Sequence, residues 1–371
     1  MENNTLPADM KKRRRREPLT DTNLLMTITI SLFVVMYIAA MLIWGSGFTN
    51  PQQIANMFNN NAWLIIISCG LTVVMITGGI DISVGGIVAL VTMACALELQ
   101  PGGSVQVSIG LALGIGLAFG IIQGFMISYL EIQPFIVTMA GMFFARGSLT
   151  ILSVHPVKAT LDKFLQMHEF RIDLPFIGTY GKTGNFIPTR LDPGALVAIA
   201  VVVVIFIILR WTKLGRNLYA VGGNSQSALM LGINVKRTKF YAYVISGLLA
   251  GIAGYIYLLD TGAGSYANAM FGEMKAIAAS IIGGTLLTGG VGNIFGTLFG
   301  VFTLLTIDNV VRVVPQLREP WWQDITTGSM LTFFLLLQSI VLWRRGKGGY
   351  LKKAIARQSS GRGKTDDGSS A

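Results

Sequence analysis

The chain has 371 residues, of which 13% are charged and 52% hydrophobic, with a mean hydropathy of +0.60 and a formal net charge of +11. An average soluble domain carries about 25% charged residues, so this composition excludes a string of soluble domains, and two cysteines exclude a disulfide-stapled secreted fold. High glycine, 44 residues, in a chain of long apolar runs points to a polytopic membrane protein, and the absence of a soluble domain to display the positive charge argues against nucleic acid as a partner.

In chain order, residues 1–23 form a basic tail with six Lys/Arg, Lys11 to Arg16 in one run. The apolar run from Leu24 to Trp44 is too long for the core of a cleaved signal peptide and reads as a retained first span. A spanning helix needs about 20 mostly apolar residues, and about ten segments approach that length. They are 24–45, 62–77, 84–100, 105–126, 134–152, 194–211, 240–258, 273–287, 291–311 and 324–343. The expected fold is therefore all-α, a transmembrane domain over 24–343 with broken, Gly-rich segments. Segment 212–239 holds five basic residues and no acid, and the tail 344–371 holds eight basic residues and looks disordered. These three segments carry 19 of the 29 basic residues, and Lys/Arg concentrate in cytoplasmic loops. An even number of spans then puts both termini and the 212–239 loop in the cytoplasm. The segments 46–61, 153–193 and 312–323 fall on the opposite face, with Pro51 to Asn61 able to form a short helix there. His155 and His168 lie in the 153–193 loop without metal-ligand spacing, so solvated side chains are expected rather than a metal site. Cys69 and Cys95 fall within spans and behave there as small apolar residues.

Three ionisable residues within the spans need an explanation: Asp81, Arg146 and Asp308. Asp81 sits in GGIDISVGG, residues 78–86, where glycines flank an acid and a hydroxyl. A broken helix at membrane depth is tolerated only inside protein or against water. Two readings fit: a segment buried between helices or lining a path, and a tight turn in which Asp81 caps the next helix. A second break, GGTLLTGGVG at 283–292, repeats the Gly-Gly start and places Thr288 where the first has Ser83, before a further Gly-rich step. Paired interruptions of this kind point to a transport path. Arg146 reads either as a packing anchor or as a substrate contact. Between spans, GRNLYAVGGNSQSALMLGIN at 215–234 carries a helix-start signal at Asn224 and Ser225, a short helix through Ala228 and Leu229, and a stop at Gly232. That pattern is either a docking element or an ordinary loop with one helical turn.

Together, GGIDISVGG, GRNLYAVGGNSQSALMLGI and GGTLLTGGVG resemble the permease subunits of bacterial sugar importers of the ATP-binding-cassette class, the ribose/xylose/galactose-type group. AGMFFARG at 140–147, YAVGGN at 219–224 and WWQDI at 321–325 look most like galactofuranose-type permeases. The resemblance covers about 24–343 and leaves out the basic tails. It implies that Asn224, Ser225, Ala228, Leu229 and Gly232 dock on a cytoplasmic ATPase that binds the ATP. It further implies that Gly78, Gly79, Asp81, Ser83, Gly283 and Gly284 lie by the translocation pathway, with Phe143 and Phe144 as candidate liners. A second permease subunit, identical or related, and an extracytoplasmic sugar-binding protein complete the implied machine, in a bacterial inner membrane.

The residues agree that no chemistry is done by the chain itself. It has no G-x-x-x-x-G-K-[ST] phosphate loop and no Ser/His/Asp constellation, so it is expected to be no enzyme and to hold no cofactor. The competing reading is an ion-coupled secondary transporter of a small polar solute, which needs acids or histidines at mid-membrane.

Overall fold

The computed structural model describes residues 21–180, 185–314, 319, 321–322 and 324–336. The tail 344–371 and most of the tail 1–23 lie outside the described residues. The chain is mostly helical. α1 (Asp21–Trp44) leads through the one-turn α2 (Ser46–Thr49) to α3 (Pro51–Asn59), which Asn50 caps through Gln52 N at 2.9 Å. α3 then bends by 59° into α4 (Ala62–Ile76). α5 (Val84–Glu98), α6 (Val105–Ser128) and α7 (Pro134–Leu152) follow as antiparallel rods. An ordered cap covers one end: β1 (Val157–Lys158), α8 (Asp162–Glu169), and the hairpin β2 (Ile172–Tyr180) and β3 (Phe186–Leu191). α9 (Pro193–Trp211) crosses to the other end, where α10 (Lys213–Gly223) and α11 (Ser225–Met230) lie. The longest helix, α12 (Val235–Thr261), returns to β4 (Ala263–Gly264), which pairs with β1. α13 (Gly272–Ile282), α14 (Ile294–Val313) and α15 (Asp324–Leu336) complete the order.

Each expected span therefore begins or continues as a helix, but the lengths differ from those expected. α1, α6, α7, α9, α12 and α14 are long and apolar enough to cross a membrane alone, and the bent pair α3–α4 makes seven candidates. Among the described residues seven is the most that length and composition support, so the expected count of about ten is not confirmed. The segment 273–287 holds an 11-residue helix, and 84–100 one of 15 residues. Glycine breaks shorten them: at 1.5 Å per residue α13 is about 16 Å long and α5 about 22 Å, against a hydrocarbon core of about 30 Å.

Burial shows which helices form the centre. Every residue of α4 except Trp63 is buried, as expected of a helix that is apolar all round. α12 packs against α4, α5 and α6, α7 covers α5, and α13 and α14 cover the far side of α4. α6 inverts the pattern of a soluble helix. Its buried face is small and polar, with Ala112, Gly116, Gly120, Gln123 and Gly124, while Val107, Leu111, Ile121, Ile122 and Phe125 face outward. Outside a bilayer that arrangement would expose a large apolar surface; within one, small residues at every fourth position let backbones approach. Gly247 and Gly251 of α12 meet this stripe: a Cβ at Gly247 would lie 2.6 Å from the Gly120 Cα, and one at Gly116 would lie 2.9 Å from the Gly251 Cα.

The cap is tied down by side chains. Gln52 brackets the Arg190 backbone, accepting from its N–H at 2.8 Å and donating to its carbonyl at 3.1 Å. Asn59 donates to the same carbonyl at 3.0 Å and accepts from Asp192 N at 3.0 Å. His168 is engaged rather than solvated: its Nδ1 lies 2.6 Å from the Leu259 carbonyl and its ring stacks on Phe164. The loop expected at 153–193 is therefore a structured lid over the bundle.

Gly247→Val is expected to destabilise the fold by about 1–3 kcal/mol, since a side chain there overpacks two backbones. Gly114→Val, at a position with nothing within 4 Å, should change stability by less than about 0.5 kcal/mol. Thermal unfolding in detergent, followed by tryptophan fluorescence, checks the pair.

Candidate functional site: the two glycine elbows and the short helix beside them

The first break runs from Thr77 to Ser83 between α4 and α5. Gly78, at φ +81°, turns the chain, a conformation favourable only to glycine. Asp81 is buried, 2% exposed, and among the described residues pairs with no cation. Its carboxylate instead accepts three hydrogen bonds: Oδ1 from Ser83 N at 3.0 Å and Ser83 Oγ at 2.6 Å, and Oδ2 from Ser246 Oγ at 2.7 Å. Both sequence readings meet here. Asp81 makes a cap-like turn into α5, and the turn is buried between helices. Its depth follows from α12: Ser246 lies 11 positions after Val235, about 16 Å along the helix.

Ser83 Oγ also lies 3.0 Å from Gln123 Oε1 of α6, while Gln123 Nε2 has no partner. One hydroxyl proton cannot serve both oxygens. Turning the carboxamide over resolves the conflict: Nε2 donates to Ser83, and Ser83 gives its proton to Asp81. A second polar chain crosses the core nearby. Thr297 of α14 bonds to Thr72 of α4 at 2.7 Å, Thr72 donates to Ser280 of α13 at 3.1 Å, and Ser280 donates to the Ala276 carbonyl at 2.9 Å.

The second break runs from Gly283 to Asn293 between α13 and α14. Gly284, Gly289 and Gly290 have φ of +87°, +85° and +76°. Asn293 caps α14 through Phe295 N at 2.9 Å. Gly283 lies against Gly296, with no space for a Cβ between them.

The two breaks touch backbone to backbone. Gly290 N donates to the Ile76 carbonyl at 2.9 Å, and a Cβ on Gly289 would lie 2.7 Å from Gly78 N. The end of α10 enters the same point: a Cβ on Gly222 would overlap the Ile76 carbonyl, and one on Gly290 would lie 2.8 Å from the Gly223 Cα. Tyr219 of α10 donates to the Gly292 carbonyl at 2.8 Å. All three glycine-rich segments of the sequence thus converge.

Asn224, the next residue, caps α11 through Ser227 N at 2.8 Å, and Gly232, at φ +80°, ends it. Ala228 is buried and anchors the turn, so its side chain faces the protein and not a partner. Ser225 is exposed, and Leu229, Met230 and Leu231 are 64%, 88% and 79% exposed. Met230 and Leu231 were not singled out in the sequence, although the run of three large apolar residues is visible there. Beside α11 lies a groove of about 760 Å³ lined in part by Ser128, Gln133, Ser225, Leu229 and Lys239. The Lys236 ammonium, 2.8 Å from Glu131 on its rim, holds that carboxyl below the ordinary carboxylate value.

Phe143 and Phe144 do not join the elbows. Both are exposed on the outward side of α7, Phe144 with its ring 6.0 Å from Phe119. From the same phrase, Gly141 and Met142 face inward, against Gln123 and Gly86. Arg146 is an anchor: it donates to the carbonyls of Tyr266, Asn268 and Ala269 at 2.9, 3.0 and 3.0 Å, pinning the segment that leads into α13. Asp308 lies 3.6 Å from Lys275. Sequence reasoning missed Lys275 and the buried Glu273, which sit in a segment taken as a plain apolar span.

Asp81→Leu is expected to leave the Ser83 and Ser246 donors unpaired, at about 1–3 kcal/mol for each group. Asp81→Asn, which keeps a carbonyl acceptor, should lose less. Thermal unfolding of the two variants in one detergent reads the difference.

The family described as "Branched-chain amino acid transport system / permease component" matches residues 53–335. The chain is 37% identical over 327 residues to the inner membrane ABC transporter permease protein YjfF of Escherichia coli (strain K12), covering 86% of this chain and 94% of that protein. It is 30% identical over 339 residues to the fructose import permease protein FruG of Bifidobacterium longum (strain NCC 2705), covering 91% and 97%. It is 28% identical over 368 residues to the xylose transport system permease protein XylH of Escherichia coli (strain K12), covering 85% and 93%. No solved structure matches the chain. Converging glycine breaks within a helical bundle and near full-length likeness to transport proteins lead to one conclusion: the chain belongs to the family of branched-chain amino acid transport system permease components.

Proposed function

We infer that this chain is the membrane permease subunit of an ATP-binding-cassette sugar importer and forms its translocation channel. A partner ATPase binds and hydrolyses the ATP and seats its surface on α11. The observation that carries this reading is the placement of α11. Its exposed Leu229 and Met230 start one turn after the point where α10 meets both glycine elbows. A partner that moves α11 therefore pulls on Gly222 and Gly223, which touch Gly290 directly. Closure of the ATPase pair shifts the elbows, and the bundle changes between inward- and outward-open states.

The acid-free basic segment 212–239 supports a cytoplasmic position for α10 and α11, and both chain termini on that side. The lid of α8, β2 and β3 then faces the extracytoplasmic binding protein that delivers the sugar. A second permease subunit covers the outward face of α7, where Phe143 and Phe144 would line the path between the two subunits. Among sugars, the phrases at 140–147, 219–224 and 321–325 favour galactofuranose, with galactose and ribose-like sugars next.

Leu229→Asp with Met230→Asp should leave the permease folded, since both side chains are exposed, yet cut copurification of the ATPase more than tenfold, as loss of an interface anchor does. A complex recovered at normal yield overturns the docking role of α11. Gly290→Val should depress ATP-driven sugar uptake by the reconstituted complex far more than Gly328→Leu, a position on α15 with nothing within 4 Å. Uptake driven by an ion gradient through the chain alone would instead establish a secondary transporter.

A further inference from the structure

A second cavity, of about 890 Å³, opens between α1, α9, α10 and α14 at the same end of the bundle as the elbows. Its lining divides by chemistry. Met26, Phe206, Leu209 and Phe295 make an apolar wall, and Phe206 packs on Phe295 with ring centroids 4.7 Å apart. Arg210 and Arg216 make the polar corner. Among the described residues no acidic side chain lines the cavity and neither arginine forms an ion pair. The Arg216 guanidinium donates to the Trp211 carbonyl at a long 3.4 Å.

The setting is the edge of a membrane. α9 is an apolar helix of 19 residues, about 28 Å long, and Arg210 lies in its last turn. Trp211 beside it is 65% exposed, the kind of amphipathic ring found at headgroup level. Leu196, Ile199, Val203, Val204 and Ile207 expose the rest of α9 toward lipid. Two guanidinium groups without acids, at the mouth of an apolar crevice between spanning helices, match a phosphodiester with an acyl chain attached.

We propose that this crevice is a binding site for one anionic phospholipid, its headgroup phosphate held by Arg210 and Arg216 and an acyl chain lying along Phe206 and Phe295. The same cavity is lined by Tyr219 and Gly292, the pair that fixes α10 to the second elbow. A lipid there buttresses the joint through which α11 acts, so anionic lipid stiffens that joint.

Native mass spectrometry of the full chain, released from micelles containing equal phosphatidylglycerol and phosphatidylcholine, tests the site without any variant. One retained phosphatidylglycerol is expected; equal retention of the two lipids overturns the proposal. A lipid titration followed by thermal unfolding tests the residues. Phosphatidylglycerol should raise the melting temperature, and phosphatidylcholine should not. Inorganic phosphate giving the same rise would make this a soluble-anion site and overturn the lipid assignment. Each surface arginine contributes roughly fivefold to binding an anionic lipid, so Arg210→Gln with Arg216→Gln should weaken the effect of phosphatidylglycerol roughly thirtyfold. Lys213→Gln with Arg237→Gln, which removes two exposed charges outside the cavity, should weaken it no more than about fivefold. Equal losses in the two double variants would mean general attraction to a charged surface and would overturn the site.

Discussion

Everything in this bundle depends on the need to satisfy backbone groups where helices stop inside a membrane. α4 and α13 both end short of the distance a bilayer requires, and their last residues, Ile76 and Ile282, are buried, so the backbone groups there must be met from within the protein. The protein satisfies them by placing the two breaks against one another. The Ile76 carbonyl, orphaned at the end of α4, takes the Gly290 N–H of the second break. This contact works only if neither partner carries a Cβ in the way, and that accounts for glycine at Gly222, Gly289 and Gly290, while Gly78 is required by its φ of +81°. The glycines are therefore the means by which two broken helices complete one another, through close approach and through the positive φ of Gly78, Gly284, Gly289 and Gly290.

A different use of glycine builds the frame around that joint. Along α6 and α12, Gly116, Gly120, Gly247 and Gly251 bring two regular helices into backbone contact over several turns. A packed interface of that kind has two arrangements or one, and does not deform gradually. The chain therefore combines a rigid pair, α6 and α12, with a jointed pair of hairpins, α4–α5 and α13–α14. α10 touches the jointed part at the elbows and also packs on the rigid α12, and α11 packs on α10 and α12.

Legibility in the sequence followed the same division. The breaks at 78–86 and 283–292 and the capped short helix at 224–232 stood out because glycine clusters and caps are local signals. Their meeting at one point was not visible, because it is set by tertiary contacts between residues such as Ile76, Gly222 and Gly290 that lie far apart in the chain. Apolar runs located the spans but understated α12 and overstated the segment at 273–287, since hydropathy does not register where a helix stops when the break is as apolar as the helix. The four-residue spacing of Gly116, Gly120 and Gly124 was available and is the clearest signal passed over. Phe143 and Phe144 drew attention as aromatic residues, yet helical phase turns them outward while Gly141 and Met142 face the polar core. A single charge in an apolar run left two readings open at Arg146, and the three carbonyls it donates to account for it as an anchor.

The buried polar atoms limit how the joint can move. Asp81 ties the first elbow to Ser246 on the rigid α12, while Thr72, Ser280 and Thr297 tie α4 to both arms of the second hairpin. Breaking a buried bond of this kind without a replacement costs about 1–3 kcal/mol, and more when one partner is charged. The hydroxyl chain gives each oxygen one donor role and leaves none to spare, so sliding α4 past α13 would break it. Moving α4, α13 and α14 together keeps it whole. The strain of such a movement then falls on the bond between Asp81 and Ser246, where the carboxylate also has the Ser83 hydroxyl and N–H to hold it. The two hairpins should therefore shift as one body against α12, with Asp81 at the hinge line.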